Sequence, residues 1–270
     1  DPTDPLCGDK PGCGCGCGCA GCGAPPAGPA CPCASPRPVR YATGEVVEEA
    51  DDLHAGGCGL PWGHTRTFAS HLTENANVGN GYNWQVRQWS YLVVQDSGTV
   101  VVMGRANDVL WFDPAPGGGF TPRFSVRQTL LLDAVNNVYR LIDLDGSVTV
   151  FSAATGAFQS RSDAAGNTLA VVSYTANGVN PAEVQRTTTS AGNTTVESFL
   201  YTYQDPAAAS PLLSAVLLRR QVNGGAWINV GQALYTYYGT GAPSGGPNDL
   251  KTVVTQNWSG SAWATLGTTY

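Results

Sequence analysis

The sequence predicts an all-β fold, and three observations carry that prediction. Short runs such as Val148-Thr-Val-Phe151 and Leu200-Tyr-Thr-Tyr203 alternate apolar or aromatic residues with Thr, Ser or Gln, the period of a half-buried strand. Gly, Pro, Asn and Asp separate these runs and supply the turns between them. Residues 197–270 also repeat internally. Leu200-Tyr201-Thr202-Tyr203 recurs as Leu234-Tyr235-Thr236-Tyr237, Leu213 and Val216 recur as Leu250 and Val253, and Ala226-Trp227 with Gly231 recurs as Ala262-Trp263 with Gly267. The offset drifts from 34 to 37 and back to 36, as it does when turns vary and strands are kept. A period of this size marks one supersecondary unit stacked on its neighbours.

Composition narrows the possibilities further. Charged residues make up 13% of the chain, about half the usual share, so solubility rests on Thr, Ser, Asn, Gln and backbone. Strand-rich surfaces fit that balance and salt-bridged helices do not. The net charge is −6, with no run of Lys or Arg, which argues against nucleic acid as a partner. No apolar run approaches the roughly 20 residues of a transmembrane helix.

Taken in order, residues 1–36 form a low-complexity Cys/Gly/Pro-rich leader. Eight of the nine cysteines lie within the first 33 residues and the ninth is Cys58, so no disulfide framework holds the rest together. The leader has no apolar periodicity, and disorder or a crosslinked knot is expected. Its alternating Cys and Gly could wrap a soft metal ion, although the spacing is not that of a zinc finger. Leader and body share at most one disulfide, so the leader is expected to be dispensable for folding.

Residues 37–140 read as a β-rich N-terminal module. Tyr91–Val94 and Thr99–Met103 flank an Asp96-Ser97-Gly98 turn, where Gly supplies the positive φ. Val109–Phe112 is a further strand ended by Asp113-Pro114-Ala-Pro116-Gly117-Gly118-Gly119, and Leu130–Leu132 with Val138–Ile142 makes another pair. Residues 141–270 read as β-hairpin repeats. Asp145-Gly146 feeds Ser147–Phe151, and Asp163-Ala-Ala-Gly166-Asn167 feeds a strand ending at Tyr174. Asp caps its own turn, Gly-Asn accepts left-handed φ, and the Tyr ring packs on the adjacent strand with its hydroxyl in water.

Those units, with the segment that precedes them, resemble a known family. Pro38-Val39, three residues, then Thr43-Gly44-Glu45 resembles the entry segment of RHS/YD-repeat proteins. Asp51-Asp52-Leu53, Gly59-Leu60-Pro61-Trp62-Gly63-His64-Thr65-Arg66-Thr67-Phe68 and Trp89-Ser90-Tyr91-Leu92-Val93 are similar to the planctomycete-type form. The recurring unit of the family is Asp, two residues, Gly-Asn, then a strand ending in Tyr. The literal Tyr-Asp dipeptide does not occur here; Tyr203-Gln204-Asp205 and Tyr238-Gly239 stand in its places.

The resemblance implies a large exported or surface-associated bacterial protein whose YD-type repeats form a curved sheet, part of a shell around or displaying a C-terminal, often toxic, effector. This chain would then be a non-catalytic structural segment, secreted or at the cell surface. Its partners would be the remainder of the same polypeptide: further repeats and the effector. The 141–270 region breaks off where the next Tyr-Thr-Tyr run is due, so it is expected to leave an uncovered β edge. The alternative, from another class, is a cell-surface carbohydrate-binding or adhesion β-module whose partners are surface glycans.

His54, Cys58, His64 and His71 are close enough in sequence to share a metal, but no carboxylate pair frames them, and loop and strand roles explain them as well. Asp143, Asp145, Asp163 and Asp205 could be general acids or calcium ligands, yet each sits in a turn context where capping is the usual task. Asp143-Leu-Asp145-Gly146 lacks the downstream ligands of a calcium loop. No Ser occupies a Gly-x-Ser-x-Gly elbow. Trp62, Trp84, Trp89, Trp111, Trp227, Trp258 and Trp263 could stack sugars, but regularly spaced aromatics in a β-array are more often core, and Trp227 and Trp263, which recur at equivalent positions with Tyr201, Tyr203, Tyr235 and Tyr237, are expected to be structural. The sequence therefore assigns no catalytic, cofactor-binding or metal-binding residue, and predicts no cofactor and no enzyme.

Overall fold

The structure is a computed structural model that describes residues 39–40, 43–55, 60–71, 80–105 and 108–269. The leader, residues 1–36, and Cys58 lie outside the described residues. Among the described residues every regular element is a strand. A first sheet contains β1 (Val47–Ala55), β2 (Trp62–Ala69) and β3 (Trp84–Val86), and a second contains β4 (Tyr91–Val94), β5 (Val100–Arg105), β6 (Asp108–Pro114) and β7 (Phe120–Pro122). The third has eleven strands: β8 (Thr129–Asp133), β9 (Val138–Ile142), β10 (Val148–Ser152), β11 (Phe158–Ser162), β12 (Thr168–Tyr174), β13 (Pro181–Ser190), β14 (Asn193–Tyr203), β15 (Leu213–Val222), β16 (Ile228–Tyr237), β17 (Leu250–Trp258) and β18 (Trp263–Thr269).

The long sheet runs strictly in chain order from β8 to β18, and each neighbouring pair is antiparallel. Every connection is thus a hairpin turn or loop rather than a crossover. The sheet begins at Thr129, so it runs through residue 141 without interruption. Its two outer strands are β8 and β18, and β18 is exposed along nearly its whole length.

Side-chain alternation gives this sheet one buried face. Cross-strand partners on that face form an unbroken row: Leu130, Leu141, Thr149, Arg161, Leu169, Arg186, Glu197, Arg220 and Ile228. Beside it run Val184, Phe199 and Leu218, then Tyr201, Val216 and Ala233, and all six are buried. Phe112, Phe151 and Phe199 are fully inaccessible, and a buried side chain of this class contributes about 1.5–3 kcal/mol.

Alternate strands of the long sheet end in the same device. Tyr174, Tyr203 and Tyr237 close β12, β14 and β16, each just past a register shift. Their hydroxyls donate to the carbonyl of the first residue of the preceding strand: Tyr174 to Phe158 at 2.5 Å, Tyr203 to Pro181 at 2.9 Å and Tyr237 to Leu213 at 2.7 Å. The sequence predicts a water-exposed hydroxyl for the tyrosine that ends such a unit, as at Tyr174. The structure corrects it, because each strand-end bulge swings the ring over its neighbour and offers a main-chain acceptor. Cross-strand partners recur as well: Tyr201 faces Val216 as Tyr235 faces Val253, and Tyr203 faces Leu213 as Tyr237 faces Leu250.

The two smaller sheets lie against the buried face. The Trp62 ring stacks on Phe158 with centroids 5.5 Å apart, and His64 lies against Tyr201 and Tyr235. The second sheet is sewn on at the β10–β11 turn, where the Leu92 amide donates to Gly156 at 2.8 Å and Tyr91 bridges Ala157. Gly156 has φ +72°, and a Cβ there would overlap the Leu92 carbonyl oxygen. Only glycine meets both demands.

Candidate functional site

The polar residues of greatest interest lie where the first sheet meets the long one. Asp52 is the extra residue of a bulge in β1, and the bulge turns its carboxylate toward the interface. Arg66 on β2 meets it through Nε at 2.5 Å and Nη2 at 2.9 Å, and only 3% and 5% of the two side chains remain exposed. The Tyr235 hydroxyl of β16 donates to the same carboxylate at 2.7 Å. The Arg66 guanidinium also lies 4.5 Å over the Trp84 ring. Burial is the largest single influence and works against the charge of Arg66, but the Asp52 hydrogen bonds and charge together, with smaller help from Tyr235 and Tyr237, raise the pKa. Burial first, and the Asp52 charge second, push Tyr235 well above the ordinary phenol value. The trio is a bidentate, charge-assisted pair with a neutral donor completing it.

A second buried network crosses three strands. Arg186 on β13 donates through Nε to Glu197 on β14 at 2.8 Å, and its Nη2 reaches the same oxygen. Arg220 on β15 donates to the other Glu197 oxygen at 2.8 Å. The Nη1 of Arg186 donates to the Leu60 carbonyl at 2.9 Å, which ties the start of the first sheet's second strand to the middle of the long one. Removing one member of such a network leaves an uncompensated charge in the interior.

His64 is fully buried between these networks. Its Nε2 lies 3.2 Å from Asn80 Oδ1; because that oxygen only accepts, Nε2 carries the proton and Nδ1 is bare. Burial holds the imidazole neutral down to about pH 4, against the opposing pull of Asp52. Burial likewise raises the Tyr201 hydroxyl's pKa, with Trp89 and Trp62 partly offsetting the shift. His64 Nδ1, Asn80 Nδ2, both indole nitrogens and the Tyr201 hydroxyl have no partner meeting hydrogen-bond geometry.

The histidines considered together in the sequence do not converge. His54 pairs with Gly63 in the ladder and His64 with Leu53, so their side chains point to opposite faces of the first sheet. His71 is exposed beyond the end of β2, and Cys58 lies outside the described residues. No group of three or more His, Cys, Asp or Glu suited to a metal ion occurs among the described residues.

Three of the aspartates cap turns. Asp145 accepts from the Ser147 amide at 2.9 Å, Asp163 from the Asn167 amide at 2.9 Å and Asp205 from the Ala207 amide at 3.2 Å. Asp143 differs, since its carboxylate reaches Arg161 across 3.5 Å. The tryptophans divide. Trp62 is buried, whereas Trp227, Trp258 and Trp263 are half-buried on the far face of the long sheet.

A cleft of about 540 Å³ opens between the three sheets, with Asp51, His54, Arg87, Asp143 and Arg161 among its lining residues. His54 and Asp51 are 3.3 Å apart and have the form of an acid–base dyad, but their side chains are 70% and 52% exposed and solvent screens them. Arg161 pairs with Asp143 inside the cleft, and Arg87 pairs with Glu49, which lies outside its lining.

Asp52 and Arg66 stand in the sequence only within the segments that carry the family resemblance, and Asn80, Arg186 and Glu197 are not candidate site residues there. A signal was present for Glu197, which shares strand parity with Phe199, Tyr201 and Tyr203 and so falls on the buried face. Arg186 shares parity with Val184 in the same way. Compared with known proteins, residues 36–112 match the model of a domain of unknown function, DUF6531, a span that covers the first sheet and reaches Phe112 in β6. No curated protein matches the chain.

Proposed function

We propose that the chain is a non-catalytic scaffold: a YD-type repeat wall, β8–β18, with its N-terminal sheet locked onto one face. The observation that carries this reading is the hydroxyl-to-carbonyl bond repeated at Tyr174, Tyr203 and Tyr237. A unit that fastens each strand pair in the same way can be extended indefinitely, as a solenoid is. The interface charges support it too, because Asp52, Arg66, Arg186 and Glu197 engage each other and none is left to act on a substrate. In this reading the protein is exported or surface-bound, and the wall encloses or displays an effector carried on the same polypeptide.

Electron cryomicroscopy of the protein in its complete reading frame tests the proposal. The expected result is a shell in which β8–β18 continue into further strands of the same hairpin pattern. A sheet that ends against an unrelated domain, with no enclosed space, would overturn it.

A further inference from the structure

The cleft between the three sheets has a lining that the scaffold role does not use. Its floor belongs to the buried face of the long sheet, where Leu141, Thr149 and Arg161 stand in one cross-strand row. Phe158 of β11 and Trp62 of β2, stacked on each other, adjoin that floor, and Val102 and Leu110 of the second sheet line it as well. The volume of about 540 Å³ suits a small ligand or a few residues of chain rather than a folded partner.

Arg161 sets the polar chemistry. Arg186 and Arg220 rise from the same face two and four strands further on, and each closes its Nε and Nη2 on the Glu197 carboxylate. Arg161 does not close. Its Nη2 reaches Asp143 at 3.5 Å and Ser147 at 3.3 Å, the former well beyond the roughly 2.7–2.9 Å of a charge-assisted hydrogen bond. Its Nε is buried without a partner, and 40% of the side chain is exposed. A strong donor and a strong acceptor thus stand side by side, loosely joined. Gln128, between β7 and β8, adds a side-chain amide that has no partner among the described residues.

What such a lining recognises follows from its charge. Asp51 and Asp143 offset Arg87 and Arg161, so a carboxylate or phosphate would be drawn by one group and repelled by its neighbour. A neutral amide meets both at once, its carbonyl accepting from Arg161 and its N–H donating to Asp143. We infer that the cleft binds a short uncharged peptide segment, with a backbone amide between Arg161 and Asp143 and an apolar side chain against Trp62 and Phe158. The segment is extended, because a helix spends its amides on itself. Gln128 holds a further amide of the same segment. None of this depends on whether the long sheet is a repeat wall.

The test is calorimetric titration of the full chain with acetyl-Ala-Phe-Ala-amide. Saturable binding is expected, little changed by salt. Arg161→Met should weaken it about tenfold, as loss of a hydrogen bond to a charged group implies, and Gln128→Leu should weaken it less. Lys251→Gln, exposed on β17, should bind as the parent does. If Arg161→Met lowers the melting temperature, the fully N-methylated peptide decides the matter with the protein unaltered: it has lost its donors and should bind at least as poorly. Absence of saturation at millimolar peptide, equal binding of the N-methylated and parent peptides, or a preference for acetyl-Glu-Phe-Glu-amide that salt abolishes would each overturn the inference.

Discussion

The hydroxyl of Tyr237, the last residue of β16, donates to the main-chain oxygen of Leu213, the first residue of β15, at 2.7 Å. Tyr203 and Tyr174 repeat that relationship two and four strands earlier. The bond closes the open ends of the β11–β12, β13–β14 and β15–β16 hairpins, while the register shift lies in the ladder to the following strand. It also gives the strand-end carbonyl a partner, in a place where an unpaired acceptor would cost free energy.

Tyr203→Phe should therefore destabilise the protein by about 1 kcal/mol, a fall of roughly 2–4 °C in melting temperature for a domain near this size. Tyr201→Phe should cost less, because that buried hydroxyl has no partner at hydrogen-bond geometry. Thermal denaturation of the two variants side by side checks the contrast. An equal loss in both would mean that the ring and not the bond does the fastening.

Glu197 and Glu49 provide a second contrast. Glu197 is 3% exposed and holds two arginines, whereas Glu49 pairs with Arg87 at the surface. Glu197→Gln should cost about 3–5 kcal/mol, and Glu49→Gln under about 1 kcal/mol. Urea unfolding midpoints measure both.

His64 predicts an acid-sensitive fold. Its folded pKa is about 4, below the ordinary 6.5, because burial disfavours the charged ring. Below pH 6.5 the unfolded chain takes up a proton that the folded chain refuses, so stability is complete above 6.5 and is lost as pH falls toward 4. The full loss is about 3 kcal/mol. Unfolding free energies measured between pH 7 and 4 should show this slope, and His64→Phe should flatten it.

Gly156→Ala should detach the second sheet before it harms the long one. The new methyl meets the Leu92 carbonyl in a backbone conformation that already disfavours it. Overpacking of this kind costs about 1–3 kcal/mol. Increased protease cleavage within residues 91–105, with the 148–237 strands still protected, is the expected pattern.

Much of this architecture was legible in the sequence, for local reasons. Tyr91–Val94, Val138–Ile142 and Val148–Ser152 are strands where alternation put them, and Asp145 and Asp163 cap the turns their neighbours implied. The docking was not legible. Leu60 meets Arg186 across 126 residues, and Asp52 meets Tyr235 across 183. Strand parity says that Glu197 faces inward, but it cannot say which element arrives to cover it. Nor does Asp51-Asp52 announce a bulge, and it is the bulge alone that turns Asp52 toward Arg66. Trp227 and Trp263 mislead differently: their recurrence is compatible with core packing, yet both stand half-buried on the outer face.

The central claim is that the N-terminal sheet and the long sheet form one locked scaffold, and native-state hydrogen exchange under graded denaturant tests it most directly. The amides of 62–69 and 228–237 should share one opening free energy, and Asp52→Asn should lower both together. If 62–69 opened well before 228–237, or if Asp52→Asn affected the first segment alone, the N-terminal sheet would be a loose appendage and the account would fail.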